Sequence, residues 1–363
     1  MGLASLYTDI GRRRYIRKRL EEHVPDEICP PATVIVPVCG GDEFLAENLA
    51  SLARQDYPDY ELIVVARSES DLREECVPSR ARVVFAGEGD SGTGQKINNL
   101  IAAVSAARVD STLLAFADSD NQVAPHWLRS LAGPLREPGA GMTTGYRWHL
   151  PQSAGFWSSL RSVWNGVIAG TFSARSSFAW GGAMALYRET FHRADVLRYW
   201  RGAVSDDFQI SAAMRAAALH IVYVPGALVI DRSHTGPVEF LRWIERQMII
   251  TRIYQPRQWR LALVAHLFYC GALVAGALYA PWLLALQLGL GFAKGAVRAQ
   301  IARASLRWST SWTIRHHLVH IFWTPLGTLT WLYSLLASAR TNIINWRGVR
   351  YRLTRGRIER LPR

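Results

Sequence analysis

"LLAFADSDNQ" (residues 113–122) is an apolar, strand-like run that ends in two aspartates one residue apart, Asp118 and Asp120. Each carboxylate raises the cost of ionising the other, so a buried strand seldom finishes this way. Two readings fit: a solvated turn, or a pair of ligands for a cation. The surrounding sequence bears on the choice.

Upstream, "TVIVPV" (33–38), "YELIVVA" (60–66) and "ARVVFA" (81–86) are further short apolar runs rich in β-branched residues. Helical spacing follows the first in "EFLAENLASLARQ" (43–55), and recurs in "KINNLIAAVSAA" (96–107). Apolar strands alternating with helices predict an α/β domain over residues 31–255, built on a mostly parallel sheet covered on both faces. Ligands of such sheets bind beyond the carboxyl ends of the strands, where Asp118 and Asp120 fall. A hard divalent cation, Mn²⁺ or Mg²⁺, suits two carboxylates whose remaining coordination comes from phosphate and water.

The Gly-rich "GEGDSGTGQ" (87–95) leads into a helix headed by Lys96, in a chain whose only other lysines are Lys18 and Lys294. A compact ammonium there suits phosphate; a plain surface lysine is the alternative. Asn98 and Asn99 follow on the same helix. Downstream, "AVSDDFQISAAMRAA" (203–217) sets Asp206 and Asp207 at the mouth of a helix, with Ser205 as N-cap. Capping alone would explain them. The other reading makes one carboxylate a general base, commonly worth ~10²–10⁴ in rate. In "AWGGAM" (179–184), Gly181 and Gly182 form either a tight turn or a close backbone approach to a ligand.

The 363-residue chain is 49% hydrophobic and 20% charged, which excludes a disordered or collagen-like protein. Its net charge of +13 is almost wholly arginine, concentrated at "GRRRYIRKRL" (11–20) and in the closing stretch 346–363. The second cluster adjoins apolar segments, which points to anionic lipid rather than nucleic acid; a solvated tail is the alternative. Residues 1–30 read as a basic N-terminal segment with no apolar stretch, so neither a cleavable signal nor a leading membrane helix is expected. Cys29, Cys39, Cys76 and Cys270 show no paired spacing and are expected as free thiols in a reducing compartment.

From Leu261 to Ala293 no side chain is charged, over a run of 33 residues interrupted by Pro281. It predicts one tilted membrane helix or a hairpin of two. A second apolar stretch covers 316–338, and the connector "AVRAQIARASLRW" (296–308) reads as an amphipathic interfacial helix. Residues 256–340 are thus expected as membrane-embedded or interfacial helices and 341–363 as a basic tail. Both basic flanks favour the cytoplasmic side of the membrane.

Several pieces occur in the order found in one enzyme family: "VPVCGGDEFLAENLASLARQDYPDYELIVV", "GTGQKINNL", "FADSD", "WGGAMALYR", "SDDFQISAAMR", "EFLRWIERQ" and "INWRGVRYRL". Over residues 31–353 the chain resembles inverting glycosyltransferases of the GT-A fold, in particular ceramide glucosyltransferases and their bacterial relatives. The resemblance implies transfer of a hexose from a nucleotide sugar, UDP-glucose in the first instance, to a lipid hydroxyl. Asp118 and Asp120 would bind the metal and donor diphosphate. Asp207 would be the base, supported by Asp206. Arg242 and Trp243 match the family's Arg-Trp motif and would hold the diphosphate and wall a pocket, although Trp243 also suits a membrane-interface anchor. Lys96, Asn98 and Gly182 would lie on the donor side. Two positions depart from the pattern: Glu239 stands where the family has Gln or Arg, and Ser68 where relatives carry Asp, which leaves Asp71 or Glu69 for the nucleoside, with a solvated turn as the alternative. A processive polysaccharide synthase is the rival enzyme, and a basic membrane-binding scaffold the rival outside catalysis.

Overall fold

A computed structural model describes residues 2–152, 155–176, 178–354 and 357–362. Helix α1 (Gly2–Glu21) precedes an alternation of strands and helices. Its first half comprises β1 (Ala32–Pro37), α2 (Leu45–Ala53), β2 (Tyr60–Ala66), β3 (Ala81–Phe85), α3 (Gln95–Ala106), β4 (Leu113–Ala117) and α4 (Trp127–Ala132). Next come β5 (Ala140–Thr144), β6 (Arg147–His149), α5 (Phe156–Ala169), β7 (Ala183–Tyr187), α6 (Arg188–Arg193) and α7 (Val196–Trp200). The unit closes with α8 (Asp206–Ala216), β8 (His220–Tyr223), β9 (Val229–Asp231) and α9 (Pro237–Tyr254).

Seven strands form one sheet in the order β3-β2-β1-β4-β7-β5-β8. The first four are mutually parallel and β7 runs antiparallel to β4 and β5. This is the GT-A, Rossmann-like α/β class expected from the sequence. Val34, Val36, Leu62 and Val64 pack into the core on one face of the sheet, and Ile35, Ile63 and Val65 into that on the other. Burial on both faces is why these strands read as continuous apolar runs.

Beyond Tyr254 the uncharged run folds as two long helices, α10 (Pro256–Tyr279) and α11 (Pro281–Ser305), which break at Ala280 and restart on Pro281. Proline at the first helical position lacks only an N–H that would be unpaired there anyway. The connector expected as a separate interfacial helix is instead the second half of α11. The stretch 316–338 is likewise divided, into α12 (Ile314–Phe322) and α13 (Thr324–Ser338) around Pro325. Neither reaches the ~20 residues needed to span a bilayer. Among the described residues, α10 is the one helix long and apolar enough to cross a membrane, and little of it is covered. Leu261, Phe268, Leu278 and Trp282 are all exposed along this pair.

The basic N-terminal cluster divides by face. Arg13, Arg14, Arg17 and Lys18 are exposed, while Arg12 is buried where α1 meets α11 and α5. Arg12 pairs with Asp9 (3.3 Å) and donates to the Ala169 carbonyl (2.7 Å), and Asp9 also holds Arg298 of α11 (3.3 Å).

The C-terminal basic stretch is a folded element rather than a free tail. Strands β10 (Ile343–Trp346), β11 (Val349–Thr354) and β12 (Arg357–Leu361) form an antiparallel sheet. Its inner face, with Ile344, Tyr351, Leu353 and Ile358, packs on Val204, Ile249 and Ile250. Arginines 350 and 352 alternate outward, as the period of a half-buried strand requires.

Candidate active site

The topology gathers the acidic residues. β7 is antiparallel to β4 with Ala117 opposite Ala183, so the Gly181-Gly182 pair entering β7 lies beside Asp118 leaving β4. The amino end of α3 delivers Lys96 to the same edge. Its Nζ sits 2.8 Å from Asp118 Oδ1 and 3.1 Å from Asp206 Oδ1. Burial alone would lower the Lys96 ammonium, but the Asp118 and Asp206 carboxylates outweigh it and hold its pKa above the ordinary value. Asp206 is almost fully buried, and burial, with Asp207 and Asp118 nearby, pushes its pKa up to about 6 despite Lys96. Its Oδ2 has no hydrogen-bond partner among the described residues.

Asp207 is the more accessible of the two. Its Oδ1 accepts from the Phe208 backbone N–H (2.7 Å) and from the Ser205 hydroxyl. Ser205 also caps α8, accepting from Phe208 N at 3.3 Å, as its place before the helix suggests.

Asp120 follows Asp118 by two residues in the turn that leaves β4. It accepts from Asn121 Nδ2 (2.6 Å) and faces Arg147 Nη1 at 3.6 Å. Burial pushes its pKa up to about 7; Arg147 opposes this, and Asp118, Asp231 and Asp42 reinforce it. A carboxylate that burial and acidic neighbours make costly to ionise gains from a bound cation. Asp118 and Asp120 are therefore the residues that would hold one. Two carboxylates are enough for Mg²⁺ or Mn²⁺ when phosphates complete the sphere.

A second charged layer backs the first. Pairing of β6 with β9 sets His149 against Asp231. His149 Nδ1 is 2.9 Å from Asp231 Oδ2, which also binds Arg161 Nη2 at 3.2 Å. Burial, with Arg161 nearby, lowers the His149 pKa to about 3 against the opposing pull of Asp231. Asp231 is held well below the usual carboxylate range because His149 and Arg161 outweigh its burial. Trp243 is buried here, edge-on to His149 (5.4 Å) and beneath the Arg161 (4.8 Å) and Arg147 (5.5 Å) guanidinium groups.

The expected residues thus divide. Lys96, Asp118, Asp206 and Gly182 meet at one place, with Asp207 and Asp120 adjoining. Asn98 does not face this cluster: its amide donates to the Asp90 (2.9 Å) and Thr93 (3.4 Å) carbonyls and so shapes the Gly-rich loop. Asp71 pairs with Arg67 (2.8 Å), in the loop after β2. Arg242 is exposed on α9, with no ion pair or hydrogen bond among the described residues, while Trp243 turns inward. One turn further on, burial, with the charges of Arg147, Arg161 and Arg347, lowers the Arg246 pKa to about 10. Arg147, His149, Arg161, Asp231 and Arg246 went unread in the sequence; the "YRWH" run (146–149) was their one local signal, an arginine among aromatics.

Gly182 permits the close fit. A Cβ there would strike the Trp180 ring and stand 2.7 Å from Asp118 Oδ2. Gly182→Ala is expected to displace Asp118 and to cost ~1–3 kcal/mol through overpacking. Thermal unfolding and turnover of the purified variant check this, and unchanged values of both would contradict the fit.

The family model for Glycosyl transferase family 21 matches residues 3–359. Ceramide glucosyltransferase 1 of Caenorhabditis elegans is 34% identical over 99 residues, covering 25% of this chain and 21% of that protein. An N-acetylglucosaminyltransferase of Rhizobium leguminosarum bv. viciae is 27% identical over 239 residues, covering 60% and 55%. The chain thus spans about a fifth and about half the length of these two relatives. Among solved structures, a Pyrobaculum calidifontis mannosyltransferase in complex with GDP-Man and Mn²⁺ aligns with a TM-score of 0.49 and 17% identity, over 93% of this chain and 94% of that one. Glucosyl-3-phosphoglycerate synthase from Mycobacterium tuberculosis aligns at 0.42 and 19%, over 66% and 82%.

Proposed function

The chain belongs to glycosyl transferase family 21, and from that premise we propose that it is a membrane-associated, inverting hexosyltransferase acting on a lipid hydroxyl. The donor is a nucleoside diphosphate sugar, UDP-glucose in the first instance, and the acceptor ceramide or a lipid presenting a similar alcohol. The observation that carries this reading is the single Lys96 ammonium bound to both Asp118 and Asp206, which joins the strand-end and helix-end carboxylates in one site.

In the reaction, the acceptor oxygen attacks the anomeric carbon while Asp207 takes its proton. The new C–O bond forms as the bond from the anomeric carbon to the diphosphate oxygen breaks, which inverts the centre. A divalent cation held by Asp118 and Asp120 supplies neutralisation of the diphosphate charge when bound. Lys96 holds the Asp118 and Asp206 side chains in place. Trp243, locked among Arg147, Arg161 and His149, shapes the wall.

The acceptor's lipid character is supported by the neighbourhood. Trp243 packs on Trp164 (5.0 Å), which stacks on Trp331 of α13 (4.5 Å), which stacks on His266 of α10 (5.5 Å). The catalytic unit is therefore fused to the exposed apolar helices through one aromatic core. A lipid alcohol leaves a bilayer only at high cost, so a site held at the headgroup plane suits it. The basic faces of α1 and of β11 support a plane on the cytoplasmic side of the inner membrane.

A second sugar is favoured by one observation: the relative matched over the longer stretch is an N-acetylglucosaminyltransferase. Membranes from cells expressing the chain, given radiolabelled UDP-glucose or UDP-N-acetylglucosamine and a panel of lipids, test both. Label entering a lipid is the expected result; label in a water-soluble polymer, or none, overturns the reading. Chelation of divalent ions is expected to abolish labelling and added Mn²⁺ to restore it. Undiminished turnover in chelator would remove the metal role of Asp118 and Asp120.

A further inference from the structure

We propose that Arg246 and Arg347 form a clamp for the donor diphosphate, and that the C-terminal sheet β10–β12 is the wall that brings Arg347 to it. The proposal rests on the nucleotide-sugar reading above and adds residues that neither the motifs nor the comparisons assign.

Placement comes first. The small sheet is tied to the carboxyl edge of the large one, where nucleotides bind in α/β folds. Arg347 Nη2 meets Asp42 Oδ1 (2.6 Å) in the loop after β1, and Arg360 meets Glu88 (3.1 Å) in the loop after β3. The Tyr351 hydroxyl accepts from the Gln95 backbone N–H (3.4 Å) at the start of α3. Asp42 in turn accepts from Ser119 Oγ (2.9 Å), the residue between Asp118 and Asp120. The arginine at the tip of the β10–β11 turn is thus two contacts away from the aspartate pair.

The turn itself is unusual. Arg347 and Gly348 are its two central residues, with φ of 49° and 79°. Such turns favour Asn, Asp or Gly at the first position, because a Cβ there is strained by ~1–2 kcal/mol. Arg347 is 42% exposed, and an ion pair that open is worth roughly 0–1 kcal/mol. The Asp42 contact alone does not offset the strain. A side chain kept at such a position is accounted for by what it binds.

Arg246 supplies the second half. Among the described ion pairs it has none; Nη1 donates to the Asn345 carbonyl at 3.4 Å, and the guanidinium lies over Trp346 at 5.5 Å. Burial, together with Arg147, Arg161 and Arg347, lowers its pKa to about 10, with Asp120 the opposing charge. Arg147, Arg161 and Arg347 each have a carboxylate partner, in Asp120, Asp231 and Asp42, so Arg246 is the guanidinium of this group left without one among the described ion pairs. Planar forks of this kind bind phosphate oxygens two at a time. A diphosphate lying between Asp120's cation site and the β10–β11 tip would satisfy them.

The test uses the full chain in detergent with Mn²⁺ and titrates UDP and uridine by calorimetry. In Arg347→Gln and Arg246→Gln, UDP binding is expected to weaken at least tenfold while uridine binding holds, so the UDP-over-uridine preference falls by the same factor. Arg347→Lys should recover part of it. A purely structural role would weaken both ligands together, and an unchanged preference in both variants overturns the clamp. Wild-type protein that transfers no sugar and binds UDP no better than uridine removes the nucleotide-sugar reading itself, and the clamp with it.

Discussion

Asp207→Asn is expected to lower sugar transfer by ~10²–10⁴ while the protein folds and binds donor as before. The side chain is committed through one oxygen only. Oδ1 accepts from the Phe208 N–H and the Ser205 hydroxyl, and an asparagine oxygen can do the same. What asparagine lacks is the second carboxylate oxygen, the atom assigned the acceptor proton. Capping of α8 persists through Ser205, so stability should change by less than ~1 kcal/mol. Initial rates at saturating donor, read beside a thermal unfolding curve, separate the two effects. Normal turnover in a folded variant would return Asp207 to a capping residue. An equal loss of activity and stability would do so as well.

Lys96→Met is expected to have the largest effect on stability. The ammonium lies 2.8 Å from one carboxylate and 3.1 Å from another, and the Asp206 side chain is 3% exposed. Removing the cation leaves these charges facing each other in a poorly solvated pocket. Breaking a buried pair by deleting one partner typically costs ~3–5 kcal/mol. In a domain of this size that shifts the unfolding midpoint by roughly 10 °C. Adding Asp206→Asn to Lys96→Met removes one of the stranded charges and should recover part of the loss. Additive penalties in that double-mutant cycle would show that the two groups do not support each other. Activity should vanish in the single variant, because Asp118 loses the contact that orients it.

Much of the fold was legible because the inner strands β1, β2 and β4 are buried on both faces. β1 to β4 lie within a residue or two of the runs read from β-branched content, and Ser205 heads α8 as its type suggests. The acidic site was legible in part, since Asp118, Asp120, Asp206 and Asp207 each follow a recognisable element boundary. The layer behind it was not. His149 and Asp231 meet only because β6 pairs with β9, a contact between segments about 80 residues apart, with three-residue strands too short to carry a periodic signal. Arg242 and Arg246 differ by one helical turn, and sequence alone does not say which faces inward. In the closing stretch, the alternation in "VRYRLT" (349–354) is that of a half-buried strand, but the weight of arginine drew the reading toward a membrane tail.

The Asp9 carboxylate, shared by Arg12 and Arg298, has a practical consequence for anyone dividing this protein. It clasps the first helix to the end of the apolar pair, and Tyr15 and Arg19 fasten the same helix to the sugar-transfer unit through the Tyr223 carbonyl and Glu137. A cut after Tyr254 would strand Asp9 and Arg12 without their third member and uncover the packed side of α1. A soluble fragment meant for crystallisation would have to lose or redesign that helix as well.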